Sequence, residues 1–182
     1  MPYVGTPTEL PGLMLLTPKV FEDARGFLFE SFNAREFERT TGVAPRFVQD
    51  NHSKSVRGVL RGLHYQVDRV QAKLMRVVHG EIFDVAVDLR RDSPTLGKWY
   101  GVHLSSTNKR QLWIPGGFAH GFLALSDTAE VLYKTDEYWS PEHERAIRWD
   151  DETIGIDWPL DGSPLLAPKD AAARPFADAE LL

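Results

Sequence analysis

The chain reads as all-β, a jelly-roll barrel, on three observations. About ten short runs carry strand-like patterning, turn residues punctuate them at regular spacing, and one segment alone has the signals of a good helix. Its 182 residues suit one domain, 1–182, with a sizeable core, and no internal repeat divides it. A barrel of this kind holds a ligand in a polar mouth.

Leu13–Val20 is a short apolar run and the first strand, and Glu22–Gly26 is a turn. Phe27–Phe32 has aromatics in both registers, which suggests a strand covered on both faces, partly by another subunit. Asn33–Gly42 is the helix. Asn33 caps it, Glu36 completes a capping-box-like pair, Gly42 stands at the C-terminal cap and Phe37 is the apolar anchor.

Strands then follow one another closely. Phe47–Ser53 sets Phe47, Gln49, Asn51 and Ser53 in one register. Val59–Val67 comes next, then Lys73–His79, which Gly80 breaks. Glu81–Leu89 alternates cleanly, with Phe83, Val85, Val87 and Leu89 opposite Ile82, Asp84, Ala86 and Asp88. Lys98–Leu104, Arg110–Ile114, Gly121–Leu125 and Glu130–Thr135 complete the set, with turns at Arg90–Thr95, Pro115–Gly117 and Ser126–Asp127. Ser140–Leu182 is rich in proline and reads as short helical turns with an irregular tail, of which Ala171–Leu182 is expected to be peripheral.

Composition narrows the function. The net charge is -5, which argues against non-specific nucleic-acid binding. There is no cysteine, which excludes disulfides, thiolate metal sites and a cysteine nucleophile and is compatible with a cytoplasmic home. The N-terminus is broken by prolines and has no long apolar run, so it reads as neither signal peptide nor membrane span.

Val59–Val67, VLRGLHYQV, is the stretch where chemistry concentrates. A surface strand does not usually combine Arg61, His64 and Gln66, so this strand is read as the floor of a polar pocket. His64 is the candidate base, because an imidazole titrates near neutral pH. A lone histidine is more often a satisfied core residue. Here Gln49, Asn51 and Lys73 lie close in the strand order, which favours the functional reading. Tyr133 is the candidate proton donor, since a phenol of pKa ~10 is protonated at neutral pH. Lys73 and Arg61 would bind an anion or stabilise a developing oxyanion, and Arg25 and Lys169 are further candidates for that cluster. Along a regular strand Arg61 and His64 have opposite parity, so both point inward only if Gly62 marks a bulge. A His-x-His metal pair is missing: the strand reads His64-Tyr65-Gln66, and no carboxylate lies at a persuasive spacing. No metal site is expected.

Six blocks, in order, resemble the dTDP-4-dehydrorhamnose 3,5-epimerase family: VLRGLHYQ, DVAVDLRRDSPTLGKW, LWIPGGFAHGF, YKTDEYWSPEHE, IRWDDETIGIDWP and PKD. The match runs from about Gly12 to Asp170. The resemblance implies a cupin-type jelly roll, a homodimer with exchanged strands, and no metal or organic cofactor. It implies a dTDP-sugar substrate, dTDP-4-dehydro-6-deoxy-D-glucose, inverted at C3 and C5 on the way to dTDP-L-rhamnose. The family's base falls on His64, its proton donor on Tyr133 and the aspartate that pairs with the base on Asp170; Lys73 would stabilise charge on the C4 oxygen. Substrate contacts fall on Arg25, Glu30, Gln49, Asn51, Arg61, Lys73, His120, Glu144 and Lys169. Tyr138-Trp139 stands where many members have two tyrosines, and an aromatic in this region, Tyr138 among the candidates, stacks near the nucleotide or sugar. Rival readings are a single-centre epimerase, a 4-ketosugar isomerase, a non-catalytic sugar-nucleotide-binding cupin and a metal-dependent oxygenase of the same fold.

Overall fold

The computed structural model describes residues 3–182. Thirteen strands occur among them: β1 (Tyr3–Pro7), β2 (Met14–Pro18), β3 (Phe21–Asp23), β4 (Gly26–Leu28), β5 (Gln49–Val56), β6 (Leu60–Gln66), β7 (Lys73–His79), β8 (Glu81–Asp88), β9 (Trp99–Ser105), β10 (Gln111–Ile114), β11 (Phe118–Ala124), β12 (Thr128–Thr135) and β13 (Glu144–Ala146). Two helices accompany them, α1 (Ala34–Thr41) and α2 (Pro168–Ala171), with a 3-10 turn at Phe176–Asp178.

The strands form a six-stranded sheet ordered β1-β2-β10-β7-β12-β5 and a five-stranded sheet ordered β13-β6-β11-β8-β9. β3 and β4 pair only with each other. Neighbouring strands run antiparallel, and consecutive members of a sheet are often far apart in the chain, as a jelly roll requires. The inner faces share one core: Met75, Val77, Leu112 and Val131 meet Ile82, Ala86, Leu104 and Phe122.

β8 explains why alternation of type does not mean alternation of burial. Its Phe83, Val85 and Val87, with Leu89 just beyond, join a second cluster outside the five-stranded sheet, where Ile154 and Trp158 cover them. Ile82 and Ala86 face the barrel interior. The strand is therefore buried on both faces, and its two aspartates are buried with it. Asp88 is held by hydrogen bonds. Burial pushes its carboxyl up, but donors from Arg90, Ser93 and Thr95 outweigh that and bring it down to about 2.

α1 packs outside the six-stranded sheet, with Phe37 fully buried against Tyr3, Leu16, Leu74 and Trp113. Asn33 Oδ1 accepts from the Glu36 N–H at 3.2 Å, and Gly42 closes the helix in the left-handed region at φ 75°. The reciprocal half of the capping box is absent. Glu36 pairs with Arg39, and the Asn33 N–H donates to the Tyr3 hydroxyl.

Three expectations need correction. Phe27–Phe32 does not form a strand of that length: pairing ends at Leu28, and Phe27 and Leu28 are exposed on a projecting hairpin. β1 and β13 were not expected; β1 is a sheet edge ending at Pro7, where no ladder partner is missed on the open side. The tail after Asp170 is not peripheral. Phe176, Leu181 and Leu182 pack on the second core cluster, the Leu182 N–H donates to the Leu89 carbonyl, and the Leu182 carbonyl accepts from the Arg91 N–H.

Candidate active site

A cavity of about 380 Å³ opens between the two sheets. One wall comes from β6 and β11 of the five-stranded sheet, the other from β5, β7 and β12 of the six-stranded one; β13 and α2 contribute Glu144, Lys169 and Asp170. His64 and Tyr133 thus approach the cavity from opposite sheets.

The strand that carries His64 is bulged. β11 pairs His120 with His64 and Phe122 with Arg61, so three steps along β6 answer two along β11. The extra residue removes the parity conflict, and Arg61 and His64 both line the cavity. Gly62 makes this close approach feasible. It has φ 120°, and a Cβ there would sit 2.5 Å from the Gly121 Cα and 2.7 Å from the His120 carbonyl oxygen.

His64 Nε2 lies 2.6 Å from Asp170 Oδ1. The Asp170 side chain is 2% exposed and the His64 ring 22%, so the carboxylate is sealed while the imidazole stays reachable. An ionised carboxylate only accepts, so Nε2 carries a proton, and in the neutral ring Nδ1 is the nitrogen with the lone pair.

Across the cavity, burial lowers Lys73 to about 8; Asp84 and Glu144 pull it back up and Lys169 pushes it further down. Burial raises the Tyr133 phenol, with Glu144 adding to the effect and Arg61 opposing it. His120 is 7% exposed and bonds through Nε2 to both Asp84 oxygens, at 3.0 and 3.1 Å. Arg61 is braced by Ser55 Oγ at 3.0 Å and the Lys54 carbonyl at 3.1 Å. Lys169 pairs with Glu144 at 3.1 Å.

Of the residues singled out from the sequence, Gln49, Asn51, Arg61, His64, Lys73, His120, Tyr133, Glu144, Lys169 and Asp170 all line this cavity. Three do not. Arg25 is on the β3–β4 hairpin, exposed and paired with Asp23. Glu30 accepts from Asn33 Nδ2 and lines a different cavity, of about 470 Å³, with Lys19, Phe21 and Phe29. Tyr138 is half-exposed and outside the lining; its neighbour Trp139 takes that place. Two glutamines fix the loop that carries Trp139. The Gln66 amide donates to the Tyr138 carbonyl at 3.3 Å and accepts from the Ser140 N–H at 2.8 Å, while Gln49 accepts from the Trp139 N–H at 3.2 Å.

Sequence reasoning assigned no role to Asp84, Ser53 or Phe122; Trp139 it reached only as one of the Tyr138-Trp139 pair. For Asp84 a signal existed, an aspartate inside the most apolar strand of the chain. Among the described residues, no three His, Asp or Glu side chains group as a metal site would need, and no helix is long and apolar enough to cross a membrane.

Known proteins share both this architecture and much of this sequence. The family model described as dTDP-4-dehydrorhamnose 3,5-epimerase matches residues 7–178. A dTDP-4-dehydrorhamnose 3,5-epimerase of Pseudomonas aeruginosa is 59% identical over 97% of this chain and 97% of its own length. The crystal structure of dTDP-6-deoxy-D-glucose-3,5-epimerase from Legionella pneumophila, in complex with dTDP-4-keto-L-rhamnose, superposes with a TM-score of 0.95 at 50% identity, covering 98% of this chain and 95% of that one. ChmJ, a 3′-monoepimerase from Streptomyces bikiniensis in complex with dTDP-quinovose, matches with a TM-score of 0.89 at 33% identity over 94% of this chain and 87% of that one. A cupin-like barrel, a model match across nearly its whole length and relatives of this identity leave one assignment: the chain belongs to the dTDP-4-dehydrorhamnose 3,5-epimerase family of isomerases.

Proposed function

We propose that the protein inverts C3 and C5 of dTDP-4-dehydro-6-deoxy-D-glucose to give dTDP-4-dehydro-L-rhamnose. The observation that carries this reading is the approach of His64 and Tyr133 from opposite sheets. A ketosugar between them has a base on one face and a phenol on the other, which inversion needs.

The C4 ketone acidifies the hydrogens on C3 and C5. His64 removes one through its free nitrogen, and the C–H electron pair moves onto the C4 oxygen as an enolate. Asp170 keeps the imidazole in the tautomer that can accept and supports the imidazolium that forms. Lys73, protonated below about 8, stabilises the enolate oxygen. Tyr133 keeps its proton at neutral pH, because burial raises its pKa, and returns one to carbon from the opposite face. Between steps His64 gives its proton up to solvent and Tyr133 regains one from it, and ring movement then lets the same pair serve both carbons.

Arg61 and Lys169 would hold the diphosphate as charge-assisted donors. No step calls on a metal or organic cofactor. Arg25 and Glu30 belong to this scheme only through a homodimer: the β3–β4 hairpin, with Phe21, Phe27 and Leu28 exposed, would cross to a second copy and bring both residues to that copy's cavity. All of this chemistry belongs to one cupin domain, 1–182, working in the cytoplasm.

A one-centre epimerase shares the fold, as the 3′-monoepimerase likeness illustrates. Identity favours two centres: 59% to a 3,5-epimerase against 33% to the monoepimerase. The test is product analysis. Purified protein, the ketosugar nucleotide and the downstream reductase should yield dTDP-L-rhamnose; a reduced product epimerised at one carbon alone, or an unepimerised one, would refute the assignment.

A further inference from the structure

A second carboxylate-backed histidine stands beside the first. His64 on β6 and His120 on β11 are direct cross-strand partners, and each has its Nε2 against a buried carboxylate. Asp84 is 0% exposed, in mid-strand between Phe83 and Val85. The residues two away on its face of β8, Ile82 and Ala86, are apolar core. A buried carboxylate in such a strand costs stability unless it is paired and hydrogen-bonded. Its one side-chain hydrogen-bond partner among the described residues is His120.

We propose that Asp84 is a positioning residue for the reaction: it fixes His120 as the Nε2–H tautomer, so that Nδ1 offers a lone pair to a hydroxyl of the ketosugar. This rests on the function proposed above. A carboxylate accepts only, so Nε2 donates to it. A neutral imidazole carries one N–H, which leaves Nδ1 as acceptor. Burial holds the ring below its ordinary pKa, against the pull of Asp84, and Lys73 and His64 push it further down, so the ring is neutral at pH 7. Nδ1 has no hydrogen-bond partner among the described residues, and the ring lines the cavity. An acceptor cannot stabilise an enolate oxygen; that task stays with Lys73. It suits a donor, and the donors on the sugar are its hydroxyls. A buried lone pair left unmet penalises a ligand that lacks the hydroxyl, so the contact is one of specificity.

Asp84→Asn tests this, since it keeps the shape and changes the hydrogen-bond sense. The new amide donates to Nε2, drives the proton to Nδ1 and turns the acceptor into a donor, as the same exchange does in a catalytic triad. Nitrogen-15 NMR of the wild type should find His120 protonated on Nε2, and in Asp84→Asn on Nδ1. The substitution should lower kcat/KM about 10- to 100-fold, the scale of one mispaired buried hydrogen bond, while inhibition by dTDP, which lacks the sugar, stays unchanged. Wild-type His120 protonated on Nδ1 would overturn the proposal, and that spectrum needs no variant to fold. Asp84→Asn with wild-type kcat/KM would overturn it too, as would a parallel loss of dTDP binding, which marks a merely structural role. A wild type that epimerises nothing would defeat the function proposed above and the sugar-hydroxyl role with it; the tautomer spectrum tells that failure apart.

Discussion

His64 Nε2 and Asp170 Oδ1 lie 2.6 Å apart across 106 positions of chain. Asp170 sits on the four-residue α2, which begins at Pro168 and leads into the tail that packs on the outer core. The far end of the chain therefore supplies the carboxylate that pairs with His64, and the tail that follows it packs on the outer core.

Asp170→Asn should leave the fold intact and lower kcat by about 10²–10⁴-fold, because an amide donor forces the wrong tautomer on His64. Affinity for dTDP should not change. Steady-state kinetics beside dTDP titration checks both; a variant that loses affinity and rate together would point to collapse of α2 instead.

Tyr133→Phe separates proton removal from proton return. The base is untouched, so solvent deuterium should still enter the sugar, while inverted product falls by about 10²-fold or more. The ratio of exchange to inversion, followed by NMR, is the readout. Equal loss of both would take the donor role away from Tyr133.

In the proposed mechanism Lys73 sets the alkaline limb. Its charge is present below about 8 and lost above, so kcat should decline as pH rises through about 8, and Lys73→Arg, if active, should carry activity to higher pH. Stability runs the other way. The folded pKa lies below the unfolded value of 10.5, so the unfolded chain binds more protons between about 8 and 10.5 and stability rises with pH across that window. Lys73→Met should accordingly raise the melting temperature at pH 7, by about 2–4 °C for each kcal/mol recovered, while activity is lost. A melting temperature that falls would show the charge to be well compensated in the fold.

The proposed homodimer, with its crossing hairpin, makes a complementation prediction. Arg25→Ala and His64→Asn should each be nearly inactive alone. Mixed and reassembled, they should regain activity, because a mixed dimer has one cavity with an intact His64 and an Arg25 from the other copy. No recovery, with mixed dimers verified by mass, would rule out the crossing hairpin.

Much of the fold and of the cavity lining is legible in the sequence. Lys73–His79 is a strand at the bounds read from its pattern, and Asn33 and Gly42 cap the helix as their residue types suggest. The conflict of parity between Arg61 and His64 pointed at Gly62, and the register does slip there. What stayed hidden has physical causes. β13 is three residues long, too short for any period to appear, and it owes its existence to pairing with β6. The tail is mostly small residues with few large apolar ones, yet Phe176 and Leu182 find a surface that strands far upstream create. Asp84 looked like the polar half of an alternation, because a pattern of types does not reveal that both faces of β8 are covered. Glu30 takes its place in the site from family likeness alone and Arg25 from its charge as well, and within one copy both lie elsewhere.

The most direct test of the central claim is proton NMR of the ketosugar nucleotide in heavy water, with wild type and with His64→Asn. The account predicts deuterium at both C3 and C5 with the wild type and, with the variant, a rate lower by about 10²–10⁴-fold at both positions. Exchange near the wild-type rate in the variant, at either carbon, would contradict His64 as the single base.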